Sequence, residues 1–185
     1  MKRVLALAVL AAALVGGAAL VLVTWDGGPL DEAGNGFAGP VQAGQPFTAF
    51  YELRNNGDRE IEVRGVSLAD HTTGLRLLGA QAQTSGSSYG GNWPGFPPRN
   101  VKAVPAEGFV LGARADAPLL VGLQADQVGG YVVRGVNVEY RVRYVDHYGP
   151  RYQRTLTTGM SLCAQRRPVK ARTPLCGAPE IPVPE

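Results

Sequence analysis

The sequence predicts an all-β protein: an Ig-like antiparallel β-sandwich of about seven or eight strands, preceded by one N-terminal transmembrane helix. Three observations support this. Among the 185 residues, 25 are Gly and 14 are Pro, a content typical of short strands joined by many turns. Apolar and polar residues alternate in several segments after residue 46, and a period of two places one face of each strand in a core. A long apolar run near the N-terminus stands apart from this pattern.

The apolar run covers residues 4–23, follows Lys2 and Arg3, and contains no charged residue. Since a helix rises 1.5 Å per residue, a run of this length spans the roughly 30 Å hydrocarbon core of a bilayer. Basic residues before the span favour a cytoplasmic N-terminus. We therefore expect residues 1–25 to be an uncleaved signal-anchor that crosses the cell membrane once and contacts the lipid bilayer through residues 4–23. The C-terminal domain would then lie outside.

Two alternatives for this segment are weaker. Gly17 and Ala19 could form the small-residue cleavage site of a signal peptide, but residues 20–23 are apolar and cleavage would leave an apolar new terminus. A core helix of a soluble domain would show an apolar stripe and a polar face, whereas this segment is apolar on all sides.

The rest of the chain divides into three parts. Residues 26–45 are rich in Gly and acidic residues and predict a linker. Residues 46–162 carry the alternating segments and predict the sandwich. Residues 163–185 contain five prolines and predict a tail that extends beyond the last strand.

The first alternating segment of the sandwich covers residues 46–54 and is followed by Asn56-Gly57. Asn-Gly between two alternating segments predicts a β-hairpin, with the return strand at residues 60–68. Gly65 breaks the alternation in this return strand, which predicts a bulge there. Short apolar segments at residues 75–78, 101–104, 109–111, 119–123 and 152–162 predict further strands. The longest alternation places Val136, Val138, Tyr140, Val142 and Tyr144 on one face.

A family resemblance rests on two of these segments. Residues 51–66 read Tyr-Glu-Leu-Arg-Asn-Asn-Gly-Asp-Arg-Glu-Ile-Glu-Val-Arg-Gly-Val, which resembles the second and third strands of bacterial Ig-like domains of the CARDB and FixG-tail kind. Residues 130–140 resemble their late strands. The resemblance implies an Ig-like fold and an adhesive or scaffolding role, without a chemistry. The chain departs from antibody-type domains because no buried Trp lies between two bridging core cysteines.

Residues 85–100 form the candidate recognition loop. A loop of this length without secondary structure is uncommon unless it is functional or disordered. Its candidate binding residues are Tyr89, Trp93, Phe96 and Arg99, since rigid aromatic side chains supply contact area at low entropic cost. The alternative is that Trp93 and Phe96 fold back and plug an open end of the sandwich.

Candidate metal ligands and catalytic groups are few. Asp70-His71 and Asp146-His147 both lie in predicted turns, and two His with two carboxylates could hold zinc or copper if the turns met. Asp is also a common turn residue, and no third His or pair of closely spaced cysteines supports a site. We therefore expect no metal and no cofactor, with His71 and His147 as weak metal candidates only. No nucleophile elbow, P-loop or metalloprotease motif occurs, so we do not expect an enzyme.

The two cysteines, Cys163 and Cys176, are the only ones in the chain. Outside the cytoplasm we expect them to form a disulfide that pins the Pro-rich tail to the last strand. A redox-active pair is the alternative, but such pairs usually lie two residues apart.

These features together predict a membrane-anchored, extracytoplasmic Ig-like interaction or scaffold domain without catalytic activity. Its partner would be another membrane or envelope protein. The net charge of +3 is low and no dense basic run occurs, which argues against nucleic acid. The alternative function is an extracytoplasmic ligand- or metal-delivery module that uses the histidine turns or the aromatic loop at residues 85–100.

Overall fold

The structure is a computed structural model that describes residues 25–26, 28–32, 37–85, 92–99 and 101–166. This part of the chain contains strands and turns without a helix, so none of its elements is a helix able to span a membrane. The predicted anchor at residues 4–23 lies outside the described residues. The strands, in chain order, are β1 (Trp25–Asp26), β2 (Leu30–Glu32), β3 (Phe37–Gln42), β4 (Pro46–Asn55), β5 (Ile61–Leu68), β6 (Leu75–Ser85), β7 (Asn92–Pro94), β8 (Lys102–Pro105), β9 (Val110–Leu111), β10 (Asp116–Ala125), β11 (Gly129–Val133), β12 (Val136–Arg143), β13 (Tyr148–Leu156) and β14 (Met160–Gln165).

The strands form three sheets. The first has the order β1-β13-β12-β5-β9, the second β2-β4-β10-β6-β8 with β7 also paired to β4, and the third β11-β14-β3. The described residues therefore form 14 strands, more than the seven or eight predicted, because short edge strands such as β1 and β9 carry too few residues to show alternation. Two pairs, β1 with β13 and β14 with β3, are parallel, whereas the prediction was antiparallel throughout.

The first two sheets pack face to face around one core, which confirms the predicted β-sandwich. Strand β4 contributes Phe47, Ala49, Tyr51 and Leu53, and β12 contributes Val136, Val138, Tyr140 and Val142. All of these side chains are buried, as their alternation predicted. Each large apolar side chain that leaves water in this way contributes about 1.5–3 kcal/mol.

Residues 26–45, predicted as a linker, contain β2 and β3. Strand β2 pairs with the end of β4, and β3 pairs with β14. Leu30 and Val41 belong to the core, with exposed fractions of 1% and 4%. The linker prediction is wrong here because Leu30 and Val41 are single apolar residues, each between a proline and a polar residue. One such residue suffices to fill a sheet edge, and it produces no visible alternation. At the other boundary the domain continues through Gln165, so Cys163 lies within β14, the last strand of the described residues.

The predicted hairpin between β4 and β5 is wrong. The two strands lie in different sheets, and residues 56–60 connect the layers. A type I′ hairpin turn requires positive φ at both central residues, which neither Asn56 nor Gly57 has. The buried side chain of Asn55 holds the connection instead. Its Nδ2 donates to the carbonyl oxygens of Arg59 and Gly112, both at 2.8 Å, and its Oδ1 accepts from Gly57 N at 3.0 Å.

The predicted bulge beside Gly65 is confirmed. Glu139 of β12 lies opposite Gly65, and Tyr140 lies opposite Val63, so Arg64 is the extra residue in β5. The extra residue turns the side chain of Val66 towards the core, against which it packs. This explains why the alternation of apolar and polar residues breaks at Gly65.

Candidate interaction surfaces

The second half of the predicted recognition loop is bound to the second sheet. We call residues 92–99 the aromatic segment. In β7, Trp93 lies opposite Thr48 of β4. Thr48 Oγ1 donates to Gly95 O at 2.6 Å, and Gly95 N donates to Pro46 O at 2.8 Å. The segment is therefore held along β4, while Tyr89 lies outside the described residues.

Phe96 packs against two glycines on the outer face of the second sheet. A Cβ atom added at Gly122 of β10 would lie 2.4 Å from the Phe96 ring, and one added at Gly79 of β6 would lie 3.5 Å from it. The two glycines are paired across the strands. Gly122 also pairs with Thr48, whose neighbours Phe47 and Ala49 point into the core. Phe96 thus covers the face of the sheet that points away from the sandwich, not an open end.

The aromatic segment leaves part of its apolar surface in contact with solvent. Trp93 and Phe96 are half-buried, Pro98 is buried, and Pro94, Pro97 and Arg99 are exposed. Leu78, which precedes Gly79, is also exposed by 39%. The arrangement offers rigid aromatic and proline side chains, with one arginine beside them. Such side chains bind a protein surface at a low cost in conformational entropy.

A second exposed group lies at one end of the sandwich, formed by the turns at residues 56–60, 112–115 and 144–147. We call it the Tyr144 end. The guanidinium of Arg59 lies 4.8 Å from the centre of the Tyr144 ring, and the His147 ring stacks on Tyr144 at 4.8 Å with an interplanar angle of 3°. Asp146 Oδ1 lies 2.8 Å from His147 Nδ1. Between these fixed groups, the side chain of Val145 is fully exposed.

The two histidine turns lie far apart. His71 forms a bridge with Val133, close to the start of β12, and the neighbouring Asp70 pairs with Arg134 at 2.9 Å. His147 follows the end of β12. Because β12 has 8 residues, the turns are separated by roughly 26 Å. The structure therefore does not bring His71 and His147 together. In the described ranges no group of three or more His, Cys, Asp or Glu could hold a metal ion.

Glu62 lies in a charged cluster on the outer face of the first sheet. It is only 9% exposed. The hydroxyl of Tyr148 donates a hydrogen bond to its carboxylate, and Arg64 and Arg143 lie nearby, so the pKa of Glu62 is held below its ordinary value. The alternation in β5 predicted an exposed face here. The sequence could not show that Tyr148, from the far strand β13, would reach across it.

Glu32 is a structural contact that the sequence analysis missed, because it lies in the predicted linker. Its carboxylate accepts hydrogen bonds from the backbone nitrogens of Thr157 and Thr158 at 2.6 and 2.8 Å. Burial raises the pKa of Glu32 in spite of these bonds. The contacts fasten β2 to the connection between β13 and β14.

Cys163 is buried in β14, with an exposed fraction of 1%. Cys176 lies outside the described residues, so the pairing of the two cysteines stays a prediction. The position of Cys163 near the end of the described residues is compatible with such a bridge.

No family model and no curated protein matches the chain. Several solved structures show a distant likeness. The ASH/PapD-like domain 7 of human CEP192 has 13% identity and a TM-score of 0.39, over 76% of this chain and 87% of that chain. The VesB protease of Vibrio cholerae has 10% identity and a TM-score of 0.39, over 74% of this chain and 32% of that chain. WR4, an MSP family member of C. elegans, has 6% identity and a TM-score of 0.31, over 69% of this chain and 92% of that chain. Likenesses at this level carry no argument about function.

Proposed function

We propose that this chain is a membrane-anchored extracytoplasmic interaction domain, without catalytic activity, whose aromatic segment contacts another membrane or envelope protein. One observation carries the proposal. The aromatic segment is fixed on the second sheet by β7 and by Phe96 on Gly122, yet it leaves Pro94, Pro97 and Arg99 exposed. A segment that is held in place and still exposes apolar side chains is typical of a binding site on a rigid scaffold. The resemblance of residues 51–66 to Ig-like domains of the CARDB and FixG-tail kind supports a scaffolding role.

The position of the aromatic segment suits an anchored domain. Strand β4 ends at Asn55, which leads into the Tyr144 end, so β4 begins at the opposite end. Because β7 pairs with residues 47–49 of β4, the aromatic segment lies towards that opposite end. The chain enters β1 from the side of the Tyr144 end, since β1 runs parallel to β13. An anchor at residues 4–23 would therefore leave the aromatic segment accessible from outside.

The anchor and its orientation are tested with reporter fusions. A reporter that is active only outside the cytoplasm should be active when it follows Glu185 and inactive when it precedes Val4. A C-terminal fusion that is active only in the cytoplasm would contradict the proposed topology. Mass analysis of the membrane-bound chain should find residues 4–23 still attached.

The interaction is tested by photo-crosslinking of the full chain in its native membrane. A photoreactive amino acid at Arg99 should give a discrete adduct with another protein, because Arg99 is the exposed residue at the end of the aromatic segment. The matched control is the same amino acid at Glu107, an exposed turn residue outside the segment. Trp93→Ala should weaken the adduct at Arg99. Identical adducts at both positions, unaffected by Trp93→Ala, would contradict the proposal.

A further inference from the structure

The direction of β1 relates the domain to the membrane. Trp25 lies opposite Tyr152, and Asp26 lies opposite Gln153, in parallel register. Strand β13 begins at Tyr148, so residues 148–151 extend past Trp25 towards the side from which the chain arrives. At about 3.3 Å per residue they reach roughly 13 Å beyond Trp25. The turn at residues 144–147 lies at the end of this extension.

The connection between the predicted anchor and β1 is very short. Its apolar run ends at Val23, and only Thr24 separates Val23 from Trp25. Two residue steps span at most about 7 Å even when fully extended. The headgroup layer occupies roughly 5–8 Å on each side of the hydrocarbon core. An extension of about 13 Å exceeds the span of about 7 Å. The Tyr144 end therefore reaches the headgroup layer even when β13 is tilted well away from the membrane normal.

The side chains at the Tyr144 end suit a bilayer surface. Val145 is 100% exposed and Tyr148 is 47% exposed. Tyrosine is enriched at membrane interfaces. The arginines at or beside this end are Arg59, Arg114, Arg143 and Arg151, and the acidic residues are Asp58, Glu60 and Asp146. Glu60 is already paired with Arg143, and Asp146 Oδ1 lies within hydrogen-bond distance of His147 Nδ1. Within the described residues, Arg59, Arg114 and Arg151 have no ion pair, and of the acidic residues named here Asp58 has none either. The unpaired arginines therefore outnumber the unpaired carboxylates, and arginine binds phosphate well.

We propose that the Tyr144 end rests on the extracytoplasmic leaflet of the bilayer, with Val145 inserted among the phospholipid headgroups. This inference rests on the proposed anchor and deepens the proposed function, because it fixes the orientation of the domain. The stack of Arg59, Tyr144 and His147 keeps the turn in place. The aromatic segment then points away from the membrane, towards a partner.

The test uses the full chain, reconstituted in vesicles of phosphatidylcholine and phosphatidylglycerol. A polarity-sensitive fluorophore is attached in Val145→Cys, which alters a fully exposed side chain and leaves the core intact. The matched control is Val128→Cys, an exposed valine in a turn at the opposite end, with 53% exposure. The unaltered chain, treated in the same way, reports any labelling of Cys163 or Cys176. Quenching is measured with spin labels attached to the lipid headgroups.

The fluorophore at Val145 should be quenched by the headgroup spin labels and should emit at shorter wavelength than the one at Val128. The quenching at Val145 should be lost when the vesicles are dissolved in detergent. Equal quenching and equal emission at the two positions, with the chain still embedded in the vesicles, would overturn the inference and leave the anchor standing. A chain that separates from the vesicles on flotation would overturn the anchor and the inference together.

Discussion

The ring of Phe96 lies where the side chain of residue 122 would be: a Cβ atom on Gly122 would come within 2.4 Å of it. We therefore expect Gly122→Ala to lower the free energy of unfolding by about 1–3 kcal/mol, the usual cost of overpacking. Urea unfolding of the full chain in detergent measures this. The matched control is Gly65→Ala, where the nearest atom lies at 3.8 Å and the change should stay within about 0.5 kcal/mol.

A double variant distinguishes a specific contact from a general effect of the methyl group. In a Phe96→Ala background, Gly122→Ala should cost clearly less than it does alone, because the ring that it meets has been removed. Additive losses from the two substitutions would show that Phe96 does not lie on Gly122.

Asn55 should be the most sensitive residue of the connection between the two sheets. Asn55→Ala leaves the carbonyl oxygens of Arg59 and Gly112 and the amide of Gly57 without their partner. We expect a loss of about 2–3 kcal/mol, the penalty for unsatisfied buried polar groups. The neighbouring Asn56 is exposed, so Asn56→Ala should change the free energy of unfolding by no more than about 0.5 kcal/mol. Similar losses for both variants would contradict the assigned role of Asn55.

The hydrogen bond from Tyr148 to Glu62 should make the free energy of unfolding depend on pH in the acidic range. Its pKa is lowered from the ordinary value of 4.5, chiefly by the hydrogen bond from Tyr148. A lowered pKa in the folded state gives stability that is present above about pH 4.5 and is lost as the pH falls through the folded pKa. Tyr148→Phe should therefore destabilise the protein at neutral pH and have little effect below both pKa values. Unfolding curves across this pH range measure the difference.

The control for this effect is Glu62→Gln, which has no carboxylate to protonate. In that background, Tyr148→Phe should give the same change in stability at every pH. A pH-dependent difference that persists without Glu62 would assign the effect to another group.

The cysteines should be bridged in protein from the native compartment. Mass spectrometry of the unreduced chain should show Cys163 linked to Cys176, and two alkylatable thiols would refute the bridge. Cys176→Ser should cost about 3 kcal/mol, the chain-entropy value for a loop of about 15 residues. Cys163→Ser should cost more than Cys176→Ser, because it also places a hydroxyl at a position that is 1% exposed.

The sequence predicted the strands that bury one complete face, such as β4 and β12, since burial imposes the alternation directly. It did not predict which strands are neighbours. Asn56-Gly57 suggested a hairpin, but the connection is fixed by Asn55 and by Gly112, which is distant in the chain. Local turn propensity carries no information about such a partner. The strands of the predicted linker were missed for a related reason, since β2 and β3 are short and owe their order to β4 and β14.

For the candidate site, the sequence predicted which residues take part but not what their side chains contact. Trp93, Phe96 and Arg99 were recognised by their type, and the structure places them on one segment. The place to which Phe96 binds could not be read from the sequence. Gly79 and Gly122 mark it by having no side chain, and a glycine in a strand can equally mark a bulge or a sharp bend.

The pairing of β3 with β14 affects how the chain is made. Strand β3 is synthesised long before its partner β14, which is the last strand of the described residues. Until then the third sheet has no central strand, and the edges of β3 and β11 have no partner from β14. Pairing between segments so distant in sequence slows folding, and open edges invite contact with other chains. A nascent chain of this protein therefore presents these open strand edges until β14 has been synthesised.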